Sequence, residues 1–328
     1  MKLYAWLVFS VAALAAPPTY KVVGKIKIGG GARWDYVAVD SAARRLYVSH
    51  GTQTEVVDID TEKVVGTIPD TNGVHGIAIA SDLGRGFTSN GTANNVTIFD
   101  LKTLKVIGTV NTGTNPDAII YEPVTKRVFT FNGRSKDSTA FDAKTGDVLA
   151  ASIPVSGKPE FAQVDGKGHV YFNNEDTSEI YEIDAKGLVV TKHYSIAPCM
   201  GPSGLAIDTA KRRLFSVCGN KVMVVSDPDA GKVIASPAIG QGADGVAFDD
   251  GMAFSSHGEG NITVVGETGG KYDVLATVPS QRGCRTIGVD TKTHKLFTPC
   301  TEIGPPPADG KGRGQAVPDS FAVVVVGR

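Results

Sequence analysis

The stretch KVVGKIKI, Lys21 to Ile28, stands ahead of any repeat, yet it matches the ends of two later ones, KVVGTI from Lys63 and KVIGTV from Lys105. The intervening chain repeats one pattern seven times: a small apolar strand, a turn, a second strand rich in aromatic and β-branched residues, a loop, and two further strands. The clearest copy is DYVAVDSAARRLYVSH, then EVVDID, then KVVGTI. The second strands end at His50, Asn90, Asn132, Asn174, Cys218, His257 and Cys300, spaced by 40, 42, 42, 44, 39 and 43 residues. That period belongs to four-stranded propeller blades. Helical periodicity is missing, and turn signals fall between short alternating runs.

The opening stretch then acquires a place. Six fourth strands follow their own repeats, at Lys63–Ile68, Lys105–Val110, Asp147–Ile153, Leu188–Ile196, Lys232–Ile239 and Lys271–Val278, while the seventh repeat stops after its third, SFAVVVVGR. KVVGKIKI supplies the missing strand. The expectation is an all-β, seven-bladed propeller over residues 19–328, whose last blade is closed by the N-terminal strand so that no edge is left unpaired.

Segments such as RRLYVSH, NNVTIFDLKTLKVIGTV and GTNPDAIIYEPVTKRVF resemble the YVTN-repeat β-propellers, which are exported proteins. The resemblance covers nearly all of the chain after its first residues. It implies the fold strongly and an activity weakly, since such proteins are mostly repeat scaffolds without an assigned reaction. The fourth, sixth and seventh copies depart most from the repeat.

With 33 basic and 34 acidic residues and a net charge of −1, the chain lacks the footprint of a nucleic-acid or anionic-lipid binder. Lys2, an apolar run from Leu3 to Leu14 broken by Ser10, and ALAAP read as a secretory signal over residues 1–15. The run is too short for a membrane span. A periplasmic or extracellular location is therefore expected, with a monomer as the expected form. Export makes the four cysteines candidates for disulfides. Cys199 and Cys218 flank the first strand pair of the fifth repeat and Cys284 and Cys300 that of the seventh, so antiparallel topology favours Cys199–Cys218 and Cys284–Cys300 among the three pairings, each contributing about 2–4 kcal/mol.

Propeller geometry also predicts two rings at one face. Residues just before the inner strands are Asp35, His75, Asp117, Glu160, Ser203, Asp244 and Arg285; the second ring is the set of strand ends given above. The asparagines Asn90, Asn132 and Asn174 belong to the family's pattern and suit turn chemistry, but are also candidate ligand-binding residues with Asp35, Asp117, Glu160 and Asp244. His50 and His257 stand where asparagine is expected and, with His75 and Arg285, are the candidate catalytic residues. A divalent ion is a candidate cofactor in two forms. Oxygens of Asp117, Glu160, Asn132 and Asn174 would suit calcium or magnesium; the histidines with Asp35 would suit zinc or another transition ion.

Several chemistries lack their residues. There is no Cys-x-x-Cys-His, no Gly-x-Ser-x-Gly and no Gly-x-x-x-x-Gly-Lys, and only Trp34 remains beyond the signal, against the repeated tryptophans of quinone-dependent propellers. A long loop, Thr301–Ser320, rises at the ring face and could serve as a lid, with Lys311 and Arg313 offered to an anion. Two functions fit: a scaffold binding a protein, glycan or small molecule at the mouth, or a lactonase-like hydrolase or polysaccharide lyase with His50 or His257 as base, Arg285 opposing developing negative charge, and a divalent ion at Asp117 and Glu160. The first asks less of the sequence.

Overall fold

The computed structural model describes residues 19–31, 33–305 and 314–328. The expected signal segment, and Lys311 and Arg313, lie outside them.

Seven four-stranded antiparallel sheets form a ring. The first is built of Val37–Asp40, Arg45–His50, Gln53–Asp58 and Lys63–Ile68. The seventh is built of Gly288–Asp290, Lys295–Cys300, Ala322–Gly327 and, as its outer strand, Lys21–Lys27. Lys21 pairs with Gly327 and Lys27 with Ala322, so the stretch that opens the chain closes the ring.

The repeated KVVG has a structural reason. Between the third and outer strands every blade carries a register shift. Gly24, Gly66 and Gly108 sit beside these bulges, and at Gly66 a Cβ would run into the Leu104 side chain of the next blade. A bulge twists the outer edge away from further pairing, which protects seven otherwise open sheet edges.

The core lies between blades. Three residues before the end of each second strand stands an aromatic side chain: Tyr47, Phe87, Phe129, Tyr171, Phe215, Phe254 and Phe297, all essentially without solvent exposure. Burying such a group is worth about 1.5–3 kcal/mol. Arg44 clamps the ring junction, reaching Asp290 of the seventh blade at 2.7 Å and Asp60 of its own at 2.7 Å.

Both expected disulfides are formed, with Cα–Cα distances of 5.5 Å for Cys199–Cys218 and 4.6 Å for Cys284–Cys300. Such bonds suit an oxidising compartment. Among the described residues, no helix is long and apolar enough to cross a membrane. The described ends of the long loop are held as a short ladder, with Ile303 bridged to Ala316 and the Val317 amide donating to Glu302 at 2.8 Å.

Candidate functional site

The two predicted rings have different fates. The first converges. In blades two to six the inner strand begins with a bulge that contains His75, Asp117, Glu160, Ser203 or Asp244, which re-aims these side chains. In blades one, two and four, polar side chains one residue before the second strand's end satisfy the irregular backbone. Ser49 Oγ accepts from the Asp35 amide at 2.7 Å, Ser89 Oγ accepts from the Gly76 amide at 2.9 Å, and Asn173 donates to the carbonyls of Ser203 and Gly204 at 3.0 Å. Neighbouring blades are tied at the same level, the Tyr36 amide donating to the His75 carbonyl and the Gly245 amide to that of Arg285.

The side chains form a chain of charge around the opening. His75 Nδ1 lies 2.6 Å from Asp35 Oδ2 and 3.6 Å from Asp117 Oδ1. Arg285 reaches Asp244 at 3.2 Å and stands 3.9 Å from Asp35 Oδ1. Lys158 bridges Glu160 at 2.5 Å and Glu175 at 2.6 Å. Burial disfavours the charged form of His75, but the Asp35 bond and the field of Asp117 outweigh it and raise its pKa. Burial, then the charge of Asp35, raises Asp117. Burial and Asp117 push Glu160 up to about 9 while Lys158 pulls it down, and burial lifts Asp244 to about 6 against Arg285. The close Lys158 contact and a protonated Glu160 pull in opposite senses. The upward direction is the sounder one, because carboxyls crowded about one opening cannot all ionise together.

Beneath this ring the channel is stopped. Tyr36 and Phe161, one residue past Asp35 and Glu160, meet with ring centroids 4.1 Å apart although they come from blades one and four. At the matching positions blades two, five and six have Gly76, Gly204 and Gly245, where adjacent inner strands approach so closely that a Cβ on Gly204 would lie 2.7 Å from the Asp244 carbonyl. The mouth is thus a polar cup over an aromatic floor.

The second ring does not line the cup. Asn90, Asn132, Asn174 and His257 are fully buried. Asn90 donates to Asn95 and Thr97 of the third strand, both at 2.8 Å; Asn132 likewise meets Asp137 and Thr139. His257 holds the same station, with Ser255 at 2.9 Å on Nε2 and Asn261 at 2.6 Å on Nδ1. Glycines of the preceding loops pack on these groups: a Cβ on Gly113, Gly157 or Gly240 would come within 2.7 Å of Asn132, Asn174 or His257. In blades five and seven the disulfides of Cys218 and Cys300 occupy this station. The ring is a set of latches, and the expected place of His257 at the channel mouth is corrected by its burial within the blade.

His50, the latch of blade one, is also away from the channel. Its Nε2 donates to the Gly31 carbonyl at 2.9 Å, Nδ1 meets Glu55 at 3.1 Å, and the ring lies on Phe321. It borders a cleft of about 350 Å³ beside Gly30, Arg33 and Gln53. A cleft of about 560 Å³ between the outer strands of blades one and two, lined by Val65, Pro69 and Leu104, holds no cluster of reactive groups.

One set of ligand atoms fits a metal. Among the described residues, Asp35, His75 and Asp117 offer donors that all lie within 4.8 Å of one another. Asp117 Oδ1 is buried without a hydrogen-bond partner. One imidazole and two carboxylates suit zinc or a similar first-row ion. The oxygen set expected for calcium or magnesium is not assembled, because Asn132 and Asn174 are bonded within their own blades. Tyr36, Phe161 and the serines under the bulges were not anticipated; the signal was two aromatics among the small residues one position beyond the ring, Gly76, Ala118, Gly204, Gly245 and Thr286.

The chain is similar in fold to hydrazine synthase of Kuenenia stuttgartiensis, with a TM-score of 0.69 and 15% identity over 80% of this chain and 91% of that one. At such identity the likeness shows the propeller fold alone. No protein-family model matches the chain, and neither does any curated protein.

Proposed function

We propose that this protein is an exported propeller scaffold that binds a ligand at its channel mouth through a divalent ion held by Asp35, His75 and Asp117. The observation that carries the reading is the orphaned, buried Asp117 Oδ1 facing His75 and Asp35 from a third blade. Leaving such an oxygen unpaired costs about 1–3 kcal/mol or more, and a cation between the three residues would remove that cost. The two disulfides, the signal-like opening segment and the resemblance of the repeats to YVTN-repeat propellers support export and a scaffold role. When bound, the ion would supply a Lewis-acidic position open to the cup. The ion would take the place of the proton shared between His75 Nδ1 and Asp35 Oδ2, and the Tyr36–Phe161 floor keeps the channel closed below.

The hydrolase or lyase alternative draws less support, since His50 and His257 lie in the blades and His75 is the histidine at the mouth. Zinc titration of the chelator-stripped full chain tests the proposal, read by calorimetry and by thermal melting. One ion per chain, a higher melt, and loss of both in Asp117→Asn are expected. Equal zinc uptake by wild type and by the Asp35→Asn, Asp117→Asn double variant would remove the site.

A further inference from the structure

Two cations border the triad, and they differ in what is left to them. Lys158, on the blade-four side, is held between Glu160 and Glu175 at 2.5 and 2.6 Å, so its donors are already engaged. Arg285, on the blade-seven side, has one carboxylate at 3.2 Å and the next at 3.9 Å, beyond hydrogen-bond reach, and its side chain remains 47% exposed. A guanidinium carries five donors in a planar fork shaped for carboxylate. Its NH2 looks onto Asp35 Oδ1, whose partner oxygen holds His75. The rest of the ring, Ser203, Asp244 and Glu160, offers hydroxyl and carboxyl groups.

Resting on the metal reading above, we infer that the mouth takes a polyhydroxy carboxylate, of the chemical class of the sugar acids. One carboxylate oxygen meets the ion at the triad, the other meets Arg285, and the ligand's hydroxyls donate to the carboxyls across the cup. A neutral sugar would leave the ion and the guanidinium without their shared anion. A simple short-chain carboxylate would leave the far rim unpaired. Without the ion the ligand would keep the Arg285 contact but lose the partner for its second carboxylate oxygen, beside Asp35 and Asp117.

The test is titration of the zinc-loaded full chain with D-galacturonate, D-galactose and acetate, with zinc uptake measured separately on each variant. Galacturonate should bind at least about tenfold more tightly than either control, and Arg285→Gln should weaken it by about tenfold or more while zinc uptake is kept. Arg285→Lys should recover only part of that loss, because the ammonium lacks the fork. An unchanged melting temperature in Arg285→Gln would show that the half-exposed side chain is not needed for folding. Zinc uptake with no preference for galacturonate overturns the ligand class and leaves the metal reading standing; so does an Arg285→Gln variant with wild-type affinity, or equal binding in chelator. No zinc uptake overturns the metal reading, and this inference with it.

Discussion

Tyr36 and Phe161 close the channel from opposite sides of the ring, their planes tilted by 58° at 4.1 Å. Burial, with Asp117 and Glu160 nearby, holds the Tyr36 phenol well above its ordinary pKa, so at neutral pH the floor is uncharged. Truncation by Tyr36→Ala should cost about 3 kcal/mol or more in urea unfolding, as other large-to-small core changes do. Tyr36→Phe, which keeps the packing, should cost under about 1.5 kcal/mol. Equal losses in the two variants would deny the floor its packing role.

The latch account predicts that His257→Asn is nearly neutral, because asparagine serves the same station in blades two to four. His257→Ala leaves buried polar partners unmatched and should cost about 1–3 kcal/mol. Differential scanning calorimetry of the two variants decides, and an alanine variant as stable as wild type would sink the account.

His50 should give stability a pH dependence. Both of its partners, Glu55 and the Gly31 carbonyl, are acceptors, and the Glu55 bond raises its pKa against burial. A raised folded value means the contribution is fully present below the unfolded value near 6.5 and is lost as pH rises through the folded one. The melting gap between wild type and His50→Gln should therefore shrink from pH 5.5 to pH 8.5. A gap that is constant or widens contradicts the assignment.

Asp290 works with the opposite sign. Despite burial, bonds from Thr293 and Arg44 hold it down to about 2. The contribution, on the order of 2 kcal/mol, is present above about 3.8 and is lost as pH falls toward the folded value. Asp290→Asn should lower stability by about that amount at pH 7 and by much less near pH 2, as measured by urea midpoints.

Removal of Lys21–Lys27 should expose the edge of Ala322–Gly327, a strand of four consecutive valines. The shortened protein should elute as higher-order species, and a synthetic KVVGKIKI peptide added in trans should return it to a single-chain peak. A shortened chain that stays monomeric with an unchanged melt would mean the strand is dispensable.

The ring of blades was legible because the strand-end spacing and the duplicated KVVG lie on the surface of the sequence. The disulfides were legible for the same reason, since antiparallel pairing brings Cys199 to Cys218 and Cys284 to Cys300. The first ring could be placed by counting back from each inner strand, but not its bulges, which come from a one-residue mismatch that only the pairing reveals. His50 and His257 were misread because a polar side chain at a strand end can turn to the channel or into the blade. What turns them inward is the loop glycine that leaves room, Gly30 beside His50 and Gly240 beside His257. That relation joins segments 17 to 20 residues apart and is invisible to any local pattern.

The closing strand also sets an order of events. Lys21–Lys27 is made before any blade and can find its partner only when Ala322–Gly327 has been made, so the longest loop closure in the molecule comes at the end of folding. Through that interval the segment is a valine-bearing strand with no sheet to join. Lys21, Lys25 and Lys27 spaced along it are the charges that keep such a waiting strand from pairing with a stranger. Completion of the propeller is therefore a kinetic event timed by the synthesis of Ala322–Gly327, and a chain stalled before it would announce itself by self-association rather than by loss of individual blades.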